Sequence, residues 1–98
     1  MVPIKITRRA ATQIRKAAVW WSANRLAAPN AVKEELANAF MLISHQPEIG
    51  AAATNVRLAG VRRIYLDRVR YFLYYLARAA QIEIIALWHS SRGKGPTL

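Results

Sequence analysis

The sequence predicts a two-layer α+β domain, with an N-terminal strand, then a helical hairpin packed on an antiparallel sheet, in the order β-α-α-β-β-β. Three observations lead there. Apolar residues recur at helical spacing from Arg8 to His45, with one break at Ala28-Pro29-Asn30. They alternate from Val61 to Trp88, with short turns at Asp67-Arg68 and Arg78–Gln81. The chain has 98 residues, 54 % of them apolar, enough to bury a core and too few for a second domain, so residues 1–98 form one unit.

Each element has its own signal. Val2, Ile4 and Ile6 alternate against Pro3 and Lys5, which marks a strand over Val2–Ile6, and Pro3 puts it at a sheet edge. Thr7 stands where a helix N-cap belongs. From Arg8 to about Ala27, the residues Ala10, Ile14, Ala17, Ala18 and Trp21 share a helical face. A second helix begins near Asn30, with Glu34 and Glu35 early, where the helix dipole favours acids. Val32, Leu36, Phe40 and Ile43 form its apolar stripe, and His45 lies at its end, where a cation suits the dipole. The stretch Gln46-Pro47-Glu48-Ile49-Gly50 stops it. Ala51–Leu58 has no period and reads as loop. Val61–Leu66 is a strand, and Val69–Ala77 and Ile82–Trp88 are apolar on both faces, as central strands are. Their short turns require an antiparallel meander, against which the first strand must lie. Ser90–Pro96 reads as a loose basic tail.

Fifteen Lys and Arg against five Asp and Glu leave a net charge of +10. Such a surface concentrates polyanions and acidic proteins. Cysteine is absent, which excludes a disulfide framework and thiolate metal sites. Two histidines and five scattered acids offer neither a metal cluster nor a paired-carboxylate site, so no metal and no cofactor are expected. No apolar run approaches the roughly 20 residues a bilayer requires. Met1–Arg9 lacks the apolar core of a secretory signal, which points to the cytoplasm.

Aromatic and cationic residues carry the remaining information. Trp20 and Trp21 are neighbours on a helix, about 100° apart, so one packs on the sheet and the other stays near the surface. Tyr65, Tyr71, Tyr74 and Tyr75 lie on strands, either packing the sheet or stacking on bases. Arg62, Arg63, Arg68 and Arg70 fall on one strand pair, with His89 and Arg92 just beyond the last strand. Together they could form a concave cationic site able to hold phosphate, or simply a solvated charged face.

Several segments, taken in order, resemble the RelE/ParE toxin superfamily. They are the helical hairpin, His45-Gln46-Pro47-Glu48-Ile49-Gly50, Gly60-Val61-Arg62-Arg63, Arg70-Tyr71-Phe72-Leu73-Tyr74-Tyr75 and Ile84–Arg92. The likeness spans Thr7 to Arg92. It implies the toxin half of a bacterial type II toxin–antitoxin module, of the kind that stabilises plasmids, with a small acidic antitoxin as partner. RelE-like members cut mRNA in the ribosomal A site, and ParE-like members block DNA gyrase without hydrolytic chemistry.

The resemblance also implies site residues. RelE-like enzymes place an arginine where this chain has Phe72, and they often end with a tyrosine, whereas this chain ends Gly93-Lys94-Gly95-Pro96-Thr97-Leu98. Trp88-His89 followed by Arg92 is similar to the end of many ParE-like toxins. The expected activity is therefore gyrase inhibition by binding. The antitoxin would bind at Trp20, Trp21, Arg25, Arg62 and Arg63, and the target at Trp88, His89 and Arg92. A ribosome-dependent mRNA endonuclease is the alternative, with Arg62, Arg63, Arg70, His89 and Arg92 as its catalytic set. A basic nucleic-acid-binding module without toxicity is the third reading.

Overall fold

A computed structural model describes residues 1–98. The elements are β1 (Ile4–Ile6), α1 (Arg8–Asn24), α2 (Ala31–His45), β2 (Ala51–Ala52), β3 (Val61–Leu66), β4 (Tyr71–Ala77) and β5 (Ile82–His89). The Thr7 hydroxyl caps α1, accepting the Ala10 N–H at 3.2 Å. This helix ends at Asn24, three residues before the expected Ala27. At the end of α2 the His45 Nδ1 lies 2.9 Å from the Met41 carbonyl. A carbonyl only accepts, so Nδ1 carries a proton there, and His45 caps the helix as its position implied.

The five strands are ordered β1-β5-β4-β3-β2. Strands β3, β4 and β5 form the expected antiparallel meander, with β4 at its centre. β1 does lie against it, but parallel to β5, with Ile4 opposite Ile82 and Ile6 opposite Ile84. The fifth strand, β2, falls in the segment read as loop. Its two alanines pair with Arg63 and Arg62. Alanine has little strand propensity, so the ladder with β3 makes this strand, not local preference.

One face of the sheet carries the main core. There Leu73, Tyr75, Ile82, Ile84 and Leu87 pack under Ala10, Ala17, Leu36 and Ile43 of the helices. The opposite face holds a smaller cluster of Val61, Tyr74, Ile85 and Ala86. Ile85 and Ala86 share that face because the β4–β5 register shifts between Tyr74 and Tyr75, a bulge that leaves Ile85 unpaired.

The tail is not loose. Leu98 packs against the smaller cluster. The Trp88 indole N–H donates to the Lys94 carbonyl at 2.5 Å, and Arg9 donates to the Thr97 carbonyl. Gly95 lies against Asn55 so closely that a Cβ there would sit 2.8 Å from the Asn55 carbonyl oxygen. The last residues thus cover the sheet face that the helices leave open.

Candidate functional site

The helix geometry separates the two tryptophans as expected. Trp21 packs against the main core, while Trp20 keeps 45 % of its surface exposed. Their rings meet edge-on, 6.1 Å apart and 71° inclined. The Arg25 guanidinium, one helical turn on, lies 4.9 Å from the Trp20 ring centre and 5.7 Å from that of Trp21. The β3–β4 turn and the end of β5 complete the site. They bring Arg68, Arg70 and His89 to Trp20, Trp21 and Arg25 around a cavity of about 310 Å³, with Val69 and Tyr71 completing its wall.

Two backbone bonds hold Arg70 in this turn. The Arg70 N–H donates to the Leu66 carbonyl at 2.7 Å, and the Arg70 carbonyl accepts the Ser90 N–H at 2.8 Å. Arg70 has a φ of 63°, the one non-glycine residue in the left-handed region. The second bond ties the turn to the residue after His89, so Arg70 and His89 are held together. His89 packs edge-on against Tyr71, with ring centres 4.9 Å apart. Burial pushes the Tyr71 hydroxyl above the ordinary tyrosine range, with Arg92 opposing the shift. Tyr71 is therefore neutral at physiological pH.

A second cavity of about 260 Å³ adjoins the first, between α1 and the end of β5. Trp20, Tyr71 and His89 line both cavities, and Trp88 and Arg92 line only the second. The Arg92 guanidinium stacks 4.2 Å from the Trp88 ring. The residues expected to bind the target therefore adjoin three of those expected to bind the antitoxin.

The arginines do not form the single concave cluster that their sequence positions suggested. Strand alternation sends Arg62 and Arg63 to opposite faces. Arg62 donates to the carbonyls of Glu48 and Gly50, at 3.1 and 2.7 Å, and so pins the loop after α2. Arg63 lies on the other face, 4.1 Å from the Phe72 ring centre, and donates to the Tyr74 hydroxyl at 3.3 Å. Arg68 pairs with Glu34 at 2.9 Å. Only Arg68 and Arg70 join His89, while Arg92 reaches the neighbouring cavity.

A helical hairpin on one face of an open five-stranded sheet is the fold that the resemblance to the RelE/ParE toxin superfamily implied. The family model described as "ParE toxin of type II toxin-antitoxin system, parDE" matches residues 4–93. The chain belongs to this ParE toxin family. A solved chain from a "Chromosomal ParDE TA system from P. aeruginosa" is similar in fold, with a TM-score of 0.61 and 18 % identity. The match covers 91 % of this chain and 96 % of that one. No individually curated protein matches it significantly. No helix is long and apolar enough to cross a membrane.

Proposed function

We propose that this toxin acts in the cytoplasm by binding DNA gyrase, and that an acidic antitoxin neutralises it by covering the same end of the domain. The observation that carries the binding reading is the separation of the nuclease candidates. Arg63 stacks on Phe72 on one face of the sheet, whereas His89 packs with Tyr71 toward the helices. General acid–base cleavage of RNA needs a proton acceptor, a proton donor and charge stabilisation around one phosphate. Arg62 and Arg63 are kept from the cavity of Arg70 and His89, so the five nuclease candidates do not act together on one phosphate.

The neutralisation reading rests on the shared walls. An acidic segment laid along α1, over Trp20 and Arg25, would also cover His89 and restrict access to Trp88 and Arg92. The outer face of the hairpin offers such a segment a path. Val19 is 67 % exposed there, and Arg15 and Lys33 flank a shallow groove between the helices. A partly disordered acidic chain gains both charge attraction and apolar contact on this path.

The test is expression of the toxin in bacteria without its antitoxin, together with supercoiling by purified gyrase. Filamentation with a DNA-damage response, and loss of supercoiling in vitro, are expected. Rapid loss of translation with active gyrase would replace this reading by the nuclease one. Normal growth would leave the basic nucleic-acid-binding module.

A further inference from the structure

The cavity of about 310 Å³ gathers Arg25, Arg68, Arg70 and His89 with no acid in its lining. The chain contains two ion pairs, and only one, Arg68 with Glu34, touches this cavity. Arg25 meets only the tryptophan faces, and Arg70 has no carboxylate partner. Three guanidinium charges offset by the single Glu34 carboxylate leave about two positive charges facing one small space. Like charges brought together in this way repel, and a bound anion removes the repulsion.

The donor set shows the kind of anion. A carboxylate carries one charge and is satisfied by one bidentate arginine. A phosphate monoester carries about 1.5 to 2 negative charges at neutral pH and three acceptor oxygens, which several guanidinium forks satisfy better. His89 adds a fourth donor. Its Nδ1 accepts the Ser91 N–H at 3.1 Å, so the proton of the neutral ring is on Nε2. Arg70, at its positive φ, is held by backbone bonds on both sides, so its main chain is fixed at the cavity wall. The tryptophans show what the phosphate is attached to. Trp21 is packed on the core and meets Trp20 edge-on, so Trp20, 45 % exposed, is the aromatic surface the wall offers beside the cations. Such surfaces stack on nucleobases regardless of sequence.

We propose that this cavity binds a nucleotide through its 5′-phosphate. Arg25, Arg68, Arg70 and the Nε2 of His89 take the phosphate, and the base stacks on the exposed Trp20. The ligand is a 5′-phosphate monoester next to a base, whether free as a mononucleotide or at the end of a strand. The proposal stands apart from the gyrase reading, and either can fail alone.

Calorimetric titration of the purified full chain at 150 mM salt tests it. Adenosine 5′-monophosphate should bind at one site, at least tenfold more tightly than adenosine and than inorganic phosphate. Arg70→Gly suits the positive φ while removing the guanidinium, and it should weaken binding at least tenfold with the fold intact by circular dichroism. Arg25→Gln should do the same. Arg57→Gln, which removes equal charge from a loop outside the cavity, should not. A 5′-phosphorylated hexathymidylate that binds more tightly than both its 5′-hydroxyl form and the mononucleotide assigns the site to strand ends. Equal or weaker binding of the strand, with the mononucleotide still bound, assigns it to free nucleotides. Adenosine or inorganic phosphate binding as well as the nucleotide overturns the proposal. So does nucleotide binding that is unchanged in Arg70→Gly. An Arg70-dependent site that takes a Glu-rich peptide and refuses the nucleotide also overturns it, and makes the cavity an anchor for acidic protein.

Discussion

The Tyr75 hydroxyl sits on the backbone of Gly50, accepting its N–H at 2.9 Å while donating to the Pro47 carbonyl at 2.8 Å. One buried side chain on the central strand thereby fixes the loop that joins the helical hairpin to the sheet. Removing the hydroxyl leaves the buried Gly50 N–H and the half-buried Pro47 carbonyl without this partner, which costs about 1–3 kcal/mol. Tyr75→Phe should lower the urea midpoint accordingly. Gly50→Ala should also destabilise, because a Cβ there would lie 2.7 Å from the Tyr75 oxygen and 3.0 Å from the Arg63 carbonyl.

The same tyrosine sets a pH dependence. Burial pushes its hydroxyl above the ordinary value of 10.0, against the opposing effects of the Gly50 hydrogen bond and Arg62, and Tyr71 is raised for the same first reason. Below pH 10 both tyrosines are neutral folded or unfolded, and they add no pH dependence. Above it the unfolded chain loses these protons first, so stability falls as pH rises toward the folded values. Urea titrations from pH 8 to 11 should show that decline. It should be shallower in Tyr75→Phe, measured from its own lower plateau.

Trp20 and Trp21 should separate stability from binding. Trp20→Ala removes an exposed ring and should change stability by less than about 1 kcal/mol. Trp21→Ala removes a ring packed on the core and should cost about 1–3 kcal/mol. Competition binding with the co-purified antitoxin should show Trp20→Ala weakened despite its normal thermal midpoint. Unchanged affinity would remove Trp20 from the antitoxin surface.

The purified toxin should not cut ribosome-bound mRNA. Phe72 supplies no charge, and Arg63 and His89 lie on opposite faces. Primer extension in a translation extract should show no codon-phased cleavage. Cuts that vanish in Arg63→Ala or His89→Ala would overturn this.

Arg70→Gly should raise the thermal midpoint, whatever it does to ligands. An L-residue held in the left-handed region costs about 1 kcal/mol that glycine does not. A lower midpoint would mean that the Arg70 side chain contributes packing that outweighs its backbone strain.

The helices and the meander were legible because their periods span many residues and agree with caps and breakers, as at Thr7 and Pro29. The features missed depend on distant partners. Ala51 and Ala52 become a strand only because β3 lies beside them. Gly95 lies against Asn55, Thr97 accepts from Arg9 and Leu98 packs on the smaller cluster, contacts that no local pattern announces. The bulge at Ile85 was hidden because β5 is apolar on both faces, so a slip of one residue leaves no polar mismatch. The division of Arg62 from Arg63 could have been read from strand alternation alone. The meeting of Arg25 with Arg70 and His89 could not, since it depends on how α1 docks over the β3–β4 turn.

The parallel pairing of β1 with β5 has a consequence for synthesis. Ile4 of β1 finds its sheet partner only in Ile82 of β5, with both helices and three strands between them in the chain. A growing chain therefore cannot complete the sheet until β5 has been made. The five-stranded sheet closes only once β5 docks between β1 and β4, so an acidic partner already nearby can meet the chain while its β1–β5 seam is still open.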